Sequence, residues 1–325
     1  MSTFVHQTAI IGPGVELGQD VNVGPHCVIG EGARIGDGTV IGPQATIGGG
    51  VSIGSGNRIG PKIHISGLTR IGDENKIFGQ ASLGTEPQDL SYQGEATWLE
   101  MGDRNTVREF VTINRGTVKG GGVTIIGNDC LLMACCHVAH DCEVADRVII
   151  GNNALLAGHV VVESRANIGG GAVAQQFVTV GTLAYVGGVT RMPQDVPPFM
   201  ILEGNRPRVR GANVVGLKRA DAGSEVIEAL KDAYKGLFRS KERTESRKAV
   251  FERLKSDHAG VEEITHLIDF MRRTELGQKG RYRETLREEF GRKGKERMER
   301  ERRERDGHSP LAPWPKRDET QATRT

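Results

Sequence analysis

Several things are missing from this chain, and each absence removes a class of protein. No apolar run approaches the length that spans a bilayer, so stable membrane insertion is not expected. No strong excess of either charge is present. The formal net charge over 325 residues is +2, which argues against a nucleic-acid-binding chain. The first residues, MSTFVHQTAIIG, lack a basic start followed by a long apolar stretch, so the expected compartment is the cytoplasm. There are only five cysteines, an odd number, and with no export signal they do not read as a disulfide framework.

Glycine, by contrast, is abundant, with 45 residues placed mostly in a repeat. An aliphatic residue followed by glycine recurs every six residues, nine times, from Ile11-Gly12 to Ile59-Gly60. A second block keeps the same step from Ile126 to Val186. A fixed six-residue period predicts a parallel β-helix. Three hexads make one triangular coil, with coils stacked about 4.8 Å apart as paired strands. Counted from the aliphatic residue, positions 1 and 5 point inward and the other side chains point outward or form corners. Position 5 holds small residues, among them Cys27, Cys130, Cys136 and Cys142, which read as core residues. Cys135 alone falls off this column.

Residues 1–192 are expected to form the β-helix, interrupted twice. The segment TEPQDLSYQGEATWLE, near 85–100, follows Leu83-Gly84, and the pattern resumes at Met101, three whole hexads after Leu83. The segment NRGTVKGGGVTI, 114–125, separates Ile113 from Ile126 by one residue more than two hexads. Both are expected to be loops protruding from a rigid prism, natural walls for a binding cleft. Pro193, Pro197 and Pro198 punctuate the exit from the repeat. In residues 193–280 the period changes to that of a helix. Val226, Leu230, Ala233, Tyr234 and Leu237 share one stripe, and Ile264, Leu267, Ile268 and Met271 a second. The fold class is therefore mainly β, a parallel β-helix followed by a small α-helical C-terminal domain. Residues 281–325 contain GRKGKERMERERRERDG and read as a charged tail, a solvated helix or disordered, with a docking tail for an anionic partner as the sharper reading.

The densest polar cluster is Cys136-His137-Val138-Ala139-His140-Asp141-Cys142. Val138 and Cys142 take inward positions. His140 and Asp141 take positions 3 and 4 and His137 takes position 6, so all three are expected outside the prism, where ordinary exposed histidines are the competing reading. Residues one coil apart lie one above another. His140, Gly158 and Gln176 form one column, and Asp141, His159 and Phe177 the next. Gly158 supplies no side chain and is expected to leave a gap about one coil high. Histidine titrates near neutrality, a neighbouring carboxylate orients its ring, and a backbone N–H at the gap can stabilise an oxyanion. The arrangement suits His140 as a general base.

The segments PQDLSYQGE, NTVREFVTINRGT, HVAHDC, NNALLAGHVVV, QDVPPF, EGN and NVVGLKR resemble the UDP-N-acetylglucosamine O-acyltransferase family, a likeness running from about residue 4 to about residue 275. The resemblance implies a left-handed parallel β-helix of hexapeptide repeats, working as a homotrimer with sites at subunit interfaces. It implies transfer of an (R)-3-hydroxyacyl group from acyl carrier protein to the 3-hydroxyl of UDP-N-acetylglucosamine, in the first step of lipid A biosynthesis. His140 would be the base, Asp141 its orienting partner, and the N–H of Gly158 the oxyanion donor. His137, His159, Gln176 and Asp89 would line the substrate site. Asn213 and Arg219 would reach the nucleotide or its phosphates. Gly188 matches the position that limits acyl-chain length, and a glycine implies room for a long chain. Arg206, Arg208, Arg210 and Lys218 would assist an acidic carrier's approach. No cofactor or metal is implied.

The chain departs from the family at Ser91, where lysine is usual, and at Gln175, where histidine is frequent. These changes keep open an acyltransferase acting on a different nucleotide sugar, including at nitrogen. Two further readings remain. One is a zinc carbonic anhydrase using His137, His140, His159 and Cys135, although that class resembles a spacing of four residues between two ligands and not the two between His137 and His140. The other is a non-enzymatic scaffold, which has no need of the loops or of the HVAHD cluster.

Overall fold

A computed structural model describes residues 2–239 and 245–306. Each hexad makes a two-residue strand and a corner, and three such sides close a coil. The strands stack into three sheets of 12, 10 and 9 strands, which begin with Phe4–Val5, Ile10–Ile11 and Glu16–Leu17. Pairing within the repeat is parallel at a step of three hexads, as in Asn22↔Val40 and Leu155↔Val173. At the C-terminal end an antiparallel hairpin, Met200–Glu203 with Arg208–Ala212, extends the first sheet.

The hexad's residue types follow from this winding. Position 1 is inward on a short strand, so β-branched and aliphatic residues suit it. Ile29, Ile47, Ile65, Leu83, Val138 and Leu156 are all at most 1% exposed. Position 5 lies inward beside a corner and takes small residues: Cys27, Ala45, Cys136 and Ala154 are fully buried. Where it takes Asn57, Asn75 and Asn105, the amides form a ladder. Asn57 Oδ1 accepts from the Asn75 N–H (2.9 Å), and Asn75 Oδ1 accepts from the Asn105 N–H (2.8 Å). Buried polar groups persist where they are paired in this way. Position 4 is the corner itself and adopts left-handed backbone, for example at Gln44 (φ 60°), Asp141 (φ 61°), His159 (φ 64°) and Phe177 (φ 67°).

At the first interruption the chain leaves the prism and returns in hexad phase: Met101 pairs with Ile71, and Leu83 pairs with Ile113. Each of these pairs is separated by two hexads more than a regular coil, so twelve residues leave the prism at one corner. The next coil pairs Ile113 with Val138, seven residues beyond the regular step, so an excursion leaves there too. Both loops emerge between the second and third sheets, on successive coils. The second contains a short 3-10 turn, Val118–Gly120.

Among the described residues five α-helices follow: α1 (Val214–Arg219), α2 (Ser224–Tyr234), α3 (Arg247–Asp257), α4 (Glu262–Leu276) and α5 (Arg287–Asp306). The first four build a second core in which Leu217, Leu230, Leu254, Leu267 and Ile268 pack with Phe199 and Met200. Within the charged segment 281–325, residues Arg287–Asp306 form a helix, and α5 rests on the prism on one side, with Phe290 only 8% exposed. Residues 307–325 lie outside the described residues. Among the described residues no helix is long and apolar enough to cross a membrane.

The inward column carries the stability. Ile65→Ala is expected to cost about 2–5 kcal/mol through the cavity it leaves, whereas Val40→Ala, outward on the first sheet and 45% exposed, should stay within about 0.5 kcal/mol. Denaturant unfolding of the two variants against the parent chain checks this, and equal losses would contradict the inward assignment.

Candidate active site

One corner of the prism, between the second and third sheets, carries the loops and then the polar residues on successive coils. His140–Asp141, Gly158–His159 and Gln176–Phe177 follow one another because each coil takes three hexads. Asp141 occupies the left-handed position, which aspartate tolerates better than most residues. Its carboxylate is buried and fully engaged. Oδ1 accepts from the Thr117 N–H (2.7 Å), and Oδ2 accepts from the Thr117 hydroxyl (2.6 Å) and from His140 Nδ1 (2.7 Å). The Asp141 N–H donates to Thr124 Oγ1 (2.8 Å). Thr117 belongs to the second inserted loop, and Thr124 to the strand Val123–Ile126 that follows it. At Gly120 a Cβ would stand 1.9 Å from the Asp141 carboxyl carbon, so only glycine lets the loop approach this closely.

This arrangement fixes the His140 tautomer. With Nδ1–H donated to a carboxylate, the neutral ring carries its lone pair on Nε2 and can accept a proton there. The His159 ring stacks on Phe177, with centroids 4.3 Å apart, and meets His140 edge-on at 5.2 Å. His159 Nδ1 is 3.8 Å from Asp141 Oδ2. Burial pushes the His159 pKa down to about 4, more than Asp141 raises it, and His140, Arg283 and Arg287 push in the same direction as burial. His137 is half-buried, with Nδ1 2.7 Å from the Thr112 hydroxyl. Burial also lowers its pKa, and His140 adds to the effect.

A cleft of about 330 Å³ opens beside His140 and His159, lined also by Asp89, Lys119, Gln176, Phe177 and, from α5, Arg287, Glu288 and Gly291. Asp89 comes from the first loop. The Ser91 hydroxyl (2.7 Å) and N–H (2.8 Å) donate to its Oδ1 and hold its carboxyl below the ordinary aspartate range.

Three expectations need correction. His140 and Asp141 lie outside the prism core but are not exposed surface groups. They are 5% and 2% exposed, covered by the inserted loop and the neighbouring coil. The gap above Gly158 is not open, because the His140 ring fills it, with Cε1 2.5 Å from where a Cβ would sit. The zinc set drawn from His137, His140, His159 and Cys135 is dispersed, since Cys135 is exposed at a different corner and His137 faces Thr112. His140, Asp141 and His159 do bring ligand atoms within 4.8 Å of one another. Asp141 Oδ2 there already accepts from both the Thr117 hydroxyl and His140 Nδ1.

Asp89, His140, Asp141, Gly158, His159 and Gln176 are thus gathered at one corner. The remaining candidates lie elsewhere on the chain. Gly188 is exposed at the corner between the first and second sheets, where a Cβ would meet the Gly170 carbonyl oxygen at 3.3 Å. Asn213 and Arg219 line a separate cavity of about 570 Å³ with Arg147, Arg165, Asn167 and Tyr185. The Asn213 side chain caps α1, accepting from the Gly216 N–H (3.0 Å) and donating to the Leu183 carbonyl (2.8 Å). Sequence reasoning missed Thr117, Thr124 and Gly120, whose only trace is the off-period length of the second insertion. It also missed Arg287, which reaches the cleft from far along the chain.

Comparison with known proteins agrees with this architecture. Residues 195–280 match the family described as UDP-N-acetylglucosamine O-acyltransferase, domain 2, and residues 32–62 and 123–158 match bacterial transferase hexapeptide repeats. An acyl-[acyl-carrier-protein]–UDP-N-acetylglucosamine O-acyltransferase of Gloeothece citriformis is 46% identical over 206 residues, 63% of this chain and 73% of that protein. One from Anaeromyxobacter is 44% identical over 194 residues, 60% of this chain and 74% of that protein. The crystal structure of a UDP-N-acetylglucosamine acyltransferase from Bacteroides fragilis superposes with a TM-score of 0.72 at 32% identity, covering 83% of this chain and 97% of that one.

His159 gives a pH signature. Its folded pKa of about 4 lies below the ordinary value of 6.5, so between these pH values the unfolded chain binds a proton that the folded chain does not. Stability should therefore fall as pH drops from 6.5 toward 4. Comparing unfolding midpoints at pH 7 and pH 5 checks this, and His159→Asn should lose less on acidification than the parent chain.

Proposed function

The chain belongs to the UDP-N-acetylglucosamine O-acyltransferase family, and from that membership we propose the reaction of the His140 cleft: transfer of an (R)-3-hydroxyacyl group from acyl carrier protein to the 3-hydroxyl of UDP-N-acetylglucosamine. The observation that carries the mechanism is the buried His140–Asp141 pair, with Nδ1 2.7 Å from a carboxylate that Thr117 also holds. His140 Nε2 takes the proton of the sugar hydroxyl as its oxygen attacks the thioester carbonyl. Asp141 stabilises the imidazolium that forms. The Gly158 N–H, beside the ring, donates to the oxyanion. Collapse of the tetrahedral intermediate breaks the carbon–sulfur bond, and the departing thiolate recovers the proton from His140. Asp89, Gln176 and His159 surround the acceptor, and His137, on the outward face of the second sheet, lies toward it from the neighbouring strand.

The same reading makes the active unit a homotrimer. The outward column of the second sheet runs Ile10, Val28, Thr46, His64, Ser82, Thr112, His137, Leu155 and Val173, with no Asp, Glu, Lys or Arg before Arg191 on its last strand. The first sheet carries Arg58 and Lys76 in the same position, and the third carries Glu16, Arg34, Arg70, Glu100 and Glu143. A long charge-free face suits packing against copies of the same chain. It also explains two cavities on one chain: the Asn213–Arg219 cavity of a neighbouring subunit faces the His140 cleft and takes the nucleotide, and Gly188 borders the acyl chain.

His140→Ala should lower turnover by about 10²- to 10⁴-fold, read by mass spectrometry of the product, with the chain still folded and its oligomeric mass unchanged. Near-normal turnover rejects His140 as the base. Leu155→Glu places a carboxylate on the charge-free face and should convert a trimer into monomers in light scattering. A trimer that survives the change rejects this face as the interface.

A further inference from the structure

We infer that α5 completes the substrate site, with Arg287 and Lys119 together holding a phosphate oxyanion of a substrate in the His140 cleft. The inference rests on the acyl-transfer reading and assigns a role to a helix beyond residue 280, where the matched family domain ends.

α5 is fixed in place as far as Arg297. Before it, the Tyr282 N–H donates to Asp195 Oδ2 (3.1 Å), and Arg283 pairs with Glu143 (2.6 Å) on the outward face of the third sheet. The Arg283 guanidinium lies over the Phe290 ring at 4.7 Å. Further along, Arg297 pairs with Glu100 on the same sheet. At Gly294 a Cβ would stand 1.9 Å from the Val118 carbonyl oxygen, so glycine there lets the helix rest directly on the second inserted loop. A charged tail without a docking function has no need of this backbone fit.

The docking brings Arg287 to the chemistry. Its guanidinium carbon sits 4.4 Å from the Phe177 ring centroid, on the same ring that stacks with His159. One N–H is engaged with Glu284 Oε1 at 2.9 Å, and the side chain is 58% exposed. A guanidinium has five donors, so capacity remains for a further acceptor. Lys119, from the inserted loop, lines the same cleft. The two cations come from separate parts of the chain and share a cleft of about 330 Å³ with Asp89 and Glu288. The carboxylates keep an empty cleft from carrying a bare positive field, and a phosphate entering between Lys119 and Arg287 gains a planar, fork-shaped donor. Two substrate groups offer this chemistry: the diphosphate of the nucleotide sugar, and the phosphodiester of the carrier protein's prosthetic arm.

The test uses the full chain, Arg287→Ala and Arg287→Lys. Calorimetry with inorganic pyrophosphate reads the shared chemistry directly. Arg287→Ala should weaken binding about 10- to 100-fold, the scale of a lost hydrogen bond to a charged group, and Arg287→Lys should recover part of it. Equal pyrophosphate binding in all three overturns the inference, and so does tighter binding in Arg287→Ala. Steady-state kinetics then separate the sources. A raised KM for UDP-N-acetylglucosamine with near-normal kcat identifies the nucleotide, and a raised KM for the acyl carrier alone identifies the prosthetic arm. Unchanged KM for both, or faster turnover in Arg287→Ala, means that α5 only covers the cleft and overturns the inference. Failure of the acyl-transfer reading shows separately, as a parent chain without turnover, while the pyrophosphate result still decides the role of Arg287.

Discussion

Closure of each coil in three six-residue sides is the constraint on which everything else depends. A strand of two residues is too short to be stable alone and gains its hydrogen bonds only from the coils above and below. That dependence forces a step of three hexads, which in turn stacks corner upon corner. Asp141, His159 and Phe177 are neighbours in space because they are multiples of that step apart and all take the left-handed corner conformation. Such backbone costs roughly 1–2 kcal/mol for a non-glycine residue. The cost is distributed along the column and offset by the ladder bonds on either side, so a rigid row of outward side chains comes with the winding itself.

The winding alone does not make a pair of polar side chains chemically useful. A buried carboxylate is costly unless donors surround it. The prism supplies Asp141 with position but not with those donors. They come from the second inserted loop, through the Thr117 N–H and hydroxyl, while Thr124 on the strand after the loop holds the Asp141 backbone. The short excursion at this corner thus does more than wall a cleft. It neutralises the electrostatic cost of Asp141, and Asp141 then sets the direction of the His140 ring. Gly120 permits the contact and Gly158 makes room for the ring, so two glycines from different parts of the winding bracket the same pair.

How much of this was legible follows from what kind of signal each feature leaves. The period, the inward positions and the columns are local and periodic, and Ile65 inward and His140 outside the core follow directly from register. The course of the first loop was not legible, because three hexads fit a full coil and also fit one side plus an excursion two hexads long. Hexad phase is identical in both cases, and only the pairing of Met101 with Ile71 separates them. Burial of His140 was hidden for a different reason: register gives the direction of a side chain but not what later covers it. Asn213 reads as a polar candidate in sequence, yet its amide caps α1. Arg287 left no trace at all, since its contact with Phe177 depends on how a distant helix docks.

His159 shows how these layers act together on the proposed base. Two imidazoles face one carboxylate oxygen, His140 at 2.7 Å and His159 at 3.8 Å. Were both to bind protons readily, they would compete for the single negative charge, and an imidazolium at 159 would oppose the formation of one at 140. Burial against Phe177 removes the competition by holding the His159 pKa down to about 4. Arg283 and Arg287, delivered by the segment that carries α5, push it in the same direction. The charge of Asp141 is thereby reserved for His140 at the moment a proton arrives there. A helix built far from the repeat thus contributes to the field at its corner, and the docking of α5 and the proton affinity of the site are parts of one electrostatic arrangement.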